Sequence, residues 1–185
     1  MSFLWIGRGS VESRVFMTQE EALRLAFSTG TMVERKNLYL SNEQKKQIEE
    51  QAKSKMDSSL VTYYMGKSTE GVNGFAFFDS HNVRTMPEAL MVVVNPDGSL
   101  RFVEILAFYE PEDYLPPKRW LGLFQKKKLD ENLWVKRGIR NVAGATLTTQ
   151  AITEAVRRIL ATFQVVIQPK AVQPTAVQPA LKESK

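Results

Sequence analysis

The chain has 185 residues, 43% of them hydrophobic, and a formal net charge of +5; this is enough apolar side chain for one domain with a proper core and too little length for two. It has no cysteine and a single histidine, His81, which excludes disulfides, thiolate nucleophiles, cysteine-bound zinc or iron–sulfur clusters, and any multi-histidine metal site within one chain. No apolar run approaches the roughly eighteen residues of a membrane span, and the opening MSFLWIGRGSVESR lacks the apolar centre of a secretory signal.

Basic residues gather in the second half as PPKRW, QKKK, VKRGIR and AVRR. Such a patch suits a phosphate-bearing ligand, an acidic partner, an anionic membrane face or a plain solvated surface. With no RNA-binding aromatic motif, zinc finger or Walker loop, no nucleic-acid partner is expected.

In chain order, Thr18 followed by Glu21 forms a capping box, and Ala22, Leu23, Leu25 and Ala26 give a short apolar stripe ending near Gly30, which predicts a helix. TMVERKNLYL alternates as a strand does. Ser41 with Gln44 makes a second capping box ahead of a mostly solvated helix. LVTYYMG and NGFAFFD, separated by the polar KSTEG, predict an antiparallel hairpin. ALMVVV, the turn NPDG and SLRFVEILAFY predict two strands buried on both faces, central in a sheet that helices must cover. PEDYLPPKRWLGLF mixes prolines with large aromatics and predicts an irregular segment with a short helix, a candidate lid. From Thr149 to about Phe163, Ile152, Val156, Ile159, Leu160 and Phe163 share one helical face, with Glu154, Arg157 and Arg158 outside.

The expected fold class is α+β: one domain with a mixed or mostly antiparallel sheet covered by helices. Residues 1–15 read as a flexible N-terminal segment and 16–168 as the domain. Residues 169–185 repeat AVQP, carry almost no bulky apolar side chain, and read as a disordered, frayed tail.

The stretch VAGATLTT, residues 142–149, crowds threonines onto the front of the last helix. Gly144 permits a left-handed turn, Ala145 keeps the surface low, and Thr148 or Thr149 can cap the helix. One such cap contributes about 1 kcal/mol, and a further hydroxyl adds little, so Thr146 is surplus to capping. A hydroxyl ahead of a helix N-terminus sits where an anion such as phosphate is favoured.

GATLTT followed by QAITEAVRRIL resembles the Ser/Thr-Gly-Ala-Thr-x-Thr/Ser flavinylation motif of FMN-binding domains, which occur within the sodium-pumping NADH:quinone reductase, within the Rnf-type electron-transport complex and as small stand-alone proteins. The order of elements from about Val72 to Val165 resembles the stand-alone members. Two positions depart from the pattern: Ala143 stands where the family usually has Ser or Thr, and Arg140 where many members have Asp. The resemblance implies FMN joined through its phosphate to the hydroxyl of Thr146, with Gly144, Ala145, Leu147, Thr148 and Thr149 completing the motif. It also implies a separate flavin transferase that uses FAD and magnesium and releases AMP. An unassisted threonine hydroxyl, with no histidine or lysine beside it, is too poor a nucleophile to react alone. Further implied are redox partner proteins, some of them membrane-bound, and a location facing away from the cytoplasm.

An attached flavin needs an apolar surface, for which Tyr114, Trp120, Leu121 and Phe124 are candidates and core packing the alternative. Lys136, Arg137 and Arg140 are candidates for facing the phosphodiester. Glu110 stands where the family's Glu-Thr-Pro-type segment approaches the cofactor. His81, near Arg84, Thr85 and Glu88, could tune a flavin's proton-coupled reduction or merely cap a loop. The function expected is an electron carrier rather than a stand-alone enzyme. A flavin-free module of the same fold and a reductase with non-covalent FMN are the alternatives.

Overall fold

The computed structural model describes residues 14–168. Its sheet has six strands: β1 (Arg14–Val15), β2 (Met32–Tyr39), β3 (Leu60–Ser68), β4 (Gly71–Asn82), β5 (Pro87–Val94) and β6 (Leu100–Phe108). The order is β1-β6-β5-β4-β3-β2 and every pairing is antiparallel, which narrows the expected mixed sheet to an antiparallel one. From β3 to β6 the topology follows from short polar turns, since connections this brief can only reverse the chain. At Asn95–Ser99 the Asp97 carboxylate accepts from the Ser99 amide and Gly98 takes a φ of +81°, which closes β5 onto β6. Arg14 and Val15 pair with Phe108 and Ala107, so the sheet begins just before residue 16. The rest of the expected flexible segment and the 169–185 tail lie outside the described residues.

β5 is the strand the sequence makes it, buried on both faces. Leu90, Val92 and Val94 enter a core with Ile152, Val156 and Leu160 of α4 (Thr146–Thr162) and with Phe163, the first residue of the π-helical turn over Phe163–Ile167 that continues it. Met91 and Val93 point the other way, toward Ala22, Ala26 and Phe27 at the end of α1 (Gln19–Ala26). Gly66 in β3 admits the Phe27 ring, which a Cβ at that position would overlap. Leu25, expected in the stripe, is half exposed because the face that meets the sheet is narrow and made of alanines. The capping boxes at Thr18 and Ser41 form as the sequence predicts. α2 (Asn42–Ala52) buries only Ile48 and Ala52, against Ala161 and Val166.

Between β6 and α4 the chain is irregular, with a 3-10 turn at Glu112–Tyr114, the four-residue α3 (Lys118–Leu121) and a second 3-10 turn at Gly122–Phe124. Trp120, Leu121 and Phe124 are buried in the α4-side core, and Trp120 meets Phe124 edge to face at 5.2 Å. The expected lid is therefore a wall of the core, because three large apolar side chains within five residues bury more surface inward than they could over a groove.

Arg157 departs furthest from expectation. Helical periodicity puts it outside with its charged neighbours, yet its side chain is 1% exposed. Its Nε donates to the Ala52 carbonyl at 2.8 Å and Nη2 to that of Gln51 at 3.1 Å, while Nη1 donates to the carbonyls of Asp130 at 2.7 Å and Leu133 at 3.2 Å. The guanidinium also lies over the Trp134 ring at 4.5 Å. Gln51 and Ala52 end α2, whose last turn has no basic residue of its own, so an arginine from α4 serves its orphan carbonyls and its negative dipole end. Arg157→Met is expected to leave these carbonyls without donors and to destabilise the fold by on the order of 3 kcal/mol in urea unfolding. A loss below about 1 kcal/mol would mean that water replaces the guanidinium.

Candidate functional site

α4 begins at Thr146, three residues before the expected start. Its N-cap is Ala145, and no side chain caps it. The first amide of the helix with a carbonyl acceptor is that of Thr149, on Ala145 at 2.9 Å. Neither threonine expected as a cap serves as one. Thr148 is fully buried and its hydroxyl donates to the Tyr114 carbonyl at 2.7 Å; the Thr149 hydroxyl, also buried, donates to the Thr146 carbonyl at 2.9 Å and lies 3.1 Å from Asn141 Oδ1. The hydroxyl of Thr146 is on the exposed side, where it accepts from Asn141 Nδ2 at 3.1 Å. Leu147 beside it is half exposed, and Ala145 is buried. Among helices of eight residues or more, α1 and α2 have full capping boxes and α4 has neither half of one.

The surrounding loop brings the motif against the irregular segment. Gly144 has a φ of +85°, the left-handed turn that the sequence anticipated, and a Cβ there would lie 3.6 Å from the Asp113 carbonyl oxygen. Tyr114 is half-buried, joined to α4 through Thr148, with the Arg84 guanidinium 4.9 Å above its ring. Trp120 is 4% exposed and its indole N–H donates to the Arg140 carbonyl, so it anchors the approach to the motif from below. The Arg140 side chain is exposed one residue before Asn141. Lys136 is exposed and holds a φ of +68°, while Arg137 Nη1 donates to the carbonyl of Glu131 at 3.0 Å and lies 3.4 Å from its carboxylate. Glu110 is buried, and Oε1 accepts from the amides of Arg84, Thr85 and Met86 at 3.0, 2.7 and 2.9 Å. Burial pushes this carboxyl up in pKa, but the three amides and the Arg84 charge outweigh it and hold it below the usual value. Glu110 thus fixes the β4–β5 loop. Asn141 and Arg84 are the contributors that sequence reasoning missed; only their nearness in sequence to the motif and to His81 hinted at them.

Residues 87–161 match the family model described as FMN-binding domain. That stretch is similar to an FMN-binding domain. The match takes in β5, β6, the irregular segment and nearly all of α4, and leaves β1–β4 and the first two helices outside it. No curated protein matches the chain. FMN is the cofactor this domain indicates, and the residues present fit it. Uncapped amides at the N-terminus of a 17-residue helix suit a phosphate, Gly144 leaves the approach unobstructed, and the Thr146 hydroxyl stands exposed at the same turn.

His81 is the penultimate residue of β4, and both of its ring nitrogens meet carboxylates rather than loop backbone. It lies within β4, directly across from Glu88 in β5. Nδ1 is 2.7 Å from Asp79 Oδ2 and Nε2 is 2.9 Å from Glu88 Oε1, with Arg158 of α4 completing the group 3.6 Å from Asp79. Burial by itself would lower the histidine's pKa; the two carboxylates overcome it and raise it to about 9. The imidazolium is therefore charged at neutral pH and donates from both nitrogens. Burial raises Glu88, whose Oε2 has no partner among the described residues. Because the folded pKa lies above the ordinary 6.5, the histidine's stabilising contribution is fully present below pH 6.5 and is lost as pH rises through about 9. Unfolding free energies between those limits should fall more for the wild type than for His81→Gln; parallel losses would show that the histidine is not held as a cation.

Proposed function

We propose that the protein is an electron carrier that holds FMN covalently through a phosphoester to Thr146 Oγ1. FMN supplies one- and two-electron redox chemistry, and the polypeptide binds and orients it. A separate flavin transferase, using FAD and magnesium, makes the attachment. In that step the bond from Thr146 Oγ1 to the FMN phosphorus forms, the pyrophosphate bond of FAD breaks, AMP departs, and the hydroxyl proton is released to the transferase or solvent. The proposed partners beyond the transferase are redox proteins, including membrane-bound ones, and the proposed location is outside the cytoplasm.

The observation that carries this reading is the division of labour among three threonines. Thr148 and Thr149 are buried and engaged with carbonyls, whereas Thr146 alone faces outward beside amides that no side chain caps. Thr18 and Ser41, at the N-cap positions of their helices, turn their hydroxyls onto such amides, whereas Thr146 follows the N-cap Ala145 and its hydroxyl meets Asn141 instead. Asn141 supports it further. By donating to Oγ1 it selects one orientation of the Thr146 side chain and holds the oxygen outward. Among the described residues the side-chain partner of the Thr146 hydroxyl is Asn141, which is no base, and this fits an attachment that depends on another enzyme.

Co-expression with a flavin transferase is expected to add the mass of one FMN, with loss of water, to the intact chain and to give a gel band that fluoresces after denaturation. Thr146→Val should abolish both; colour that washes out on denaturation would instead indicate non-covalent FMN, and no flavin at all a module that has lost it. Asn141→Ala should slow attachment by the same transferase several-fold, the scale of one or two lost hydrogen bonds, while the melting temperature shifts by only about 2–4 °C per kcal/mol lost. Attachment at the wild-type rate would remove Asn141 from the site.

A further inference from the structure

The guanidinium of Arg84 is a cation held in place without a hydrogen-bond partner among the described residues. It lies over the ring of Tyr114, 4.9 Å away, and feels the longer-range pull of Glu110. Yet its position is closely set. The backbone beneath it is fixed by Glu110, which accepts from three successive amides of the loop, and the ring beneath it belongs to a residue whose carbonyl is bound by Thr148 in the first turn of α4. Asp113, the neighbour of Tyr114, abuts Gly144. The exposed β4–β5 loop, the 3-10 turn and the flavinylation-like motif therefore meet at one end of the domain, with two exposed apolar side chains there, Met86 on the loop and Leu147 on the helix.

A guanidinium presents five N–H donors in a plane, and ordering such a side chain costs entropy that a purely solvated arginine would not give up. The flavin ring system has the complementary features: apolar faces, and one edge carrying two carbonyl acceptors whose negative charge grows on reduction. We propose that Arg84 binds the isoalloxazine of FMN, donating from its guanidinium to that carbonyl-bearing edge, with Tyr114 and Glu110 as the residues that position it. The proposal rests on FMN as cofactor and not on the phosphoester to Thr146.

The test uses the full chain expressed without a transferase, titrated with FMN and separately with riboflavin, which has the ring but no phosphate, while flavin fluorescence is followed. Arg84→Ala should weaken both ligands on the order of tenfold, the scale of one charge-assisted hydrogen bond, and Arg84→Lys should recover part of the loss. The melting temperature of Arg84→Ala should fall by no more than about 4 °C, the scale of one exposed cation–π contact, since the side chain holds no structural hydrogen bond among the described residues. Weakening of FMN alone would assign Arg84 to the phosphate and overturn the proposal. So would equal affinities in wild type and variant, or a wild-type chain that takes up neither flavin. Thr146→Val should keep the wild-type affinity for riboflavin, so failure of covalent attachment and failure of ring binding are read in separate measurements.

Discussion

The first turn of α4 begins with backbone amides that have no internal acceptors, and in this chain the hydroxyls nearest to them face elsewhere. That constraint orders the whole region. A helix that starts without a cap forgoes about 1 kcal/mol of local stabilisation, and the first turn holds because its threonines tie it to its neighbours: Thr148 to Tyr114, Thr149 back to Thr146 and toward Asn141. The amides keep their positive potential, and the one outward hydroxyl lies within it. An uncapped helix end and an outward-facing hydroxyl thus arise from the same local choice.

The stretch from Tyr109 to Ala145 contains little regular structure, and a mobile segment could not present a site. What fixes it is a set of donors from the core onto its carbonyls. Arg157 reaches Asp130 and Leu133 from one side while serving the end of α2; Trp120 holds the carbonyl of Arg140; Thr148 holds that of Tyr114. Each bond gives a carbonyl of the irregular stretch a donor from a buried or partly buried side chain. These hydrogen bonds act together with the buried side chains of Trp120, Leu121, Phe124, Leu133 and Ile139 to order the stretch.

The β4–β5 hairpin is held by two buried glutamates that act by different means. Glu110 is solvated by three backbone amides and keeps its charge at a lowered pKa, so it behaves as a rigid anchor. Glu88 has only an imidazolium on one oxygen and nothing among the described residues on the other, and burial raises it. The same side chain gives one pH-insensitive and one pH-sensitive element in the same hairpin, because a cluster of fixed dipoles and a single titrating cation solvate a carboxylate differently.

Interactions of short range were legible in the sequence. The capping boxes depend on residues three apart, the hairpins on turn chemistry between alternating runs, the double burial of β5 on an unbroken apolar run, and the left-handed turn on Gly144; all of these formed as read. The family motif was legible for the same reason, as a contiguous stretch. What only the tertiary structure decided were pairings between residues far apart in the chain. Arg157 looks like a solvated helix residue until α2, 105 positions earlier, brings its unpaired carbonyls alongside. Trp120 became core and α4 gained a turn at its start through packing, and over the shorter span of one hairpin the register of β4 on β5 set His81 against Glu88. Hydrophobic periodicity specifies which face of an element is buried, but a buried polar group is determined by its partner, and that partner exists only once the chain has folded.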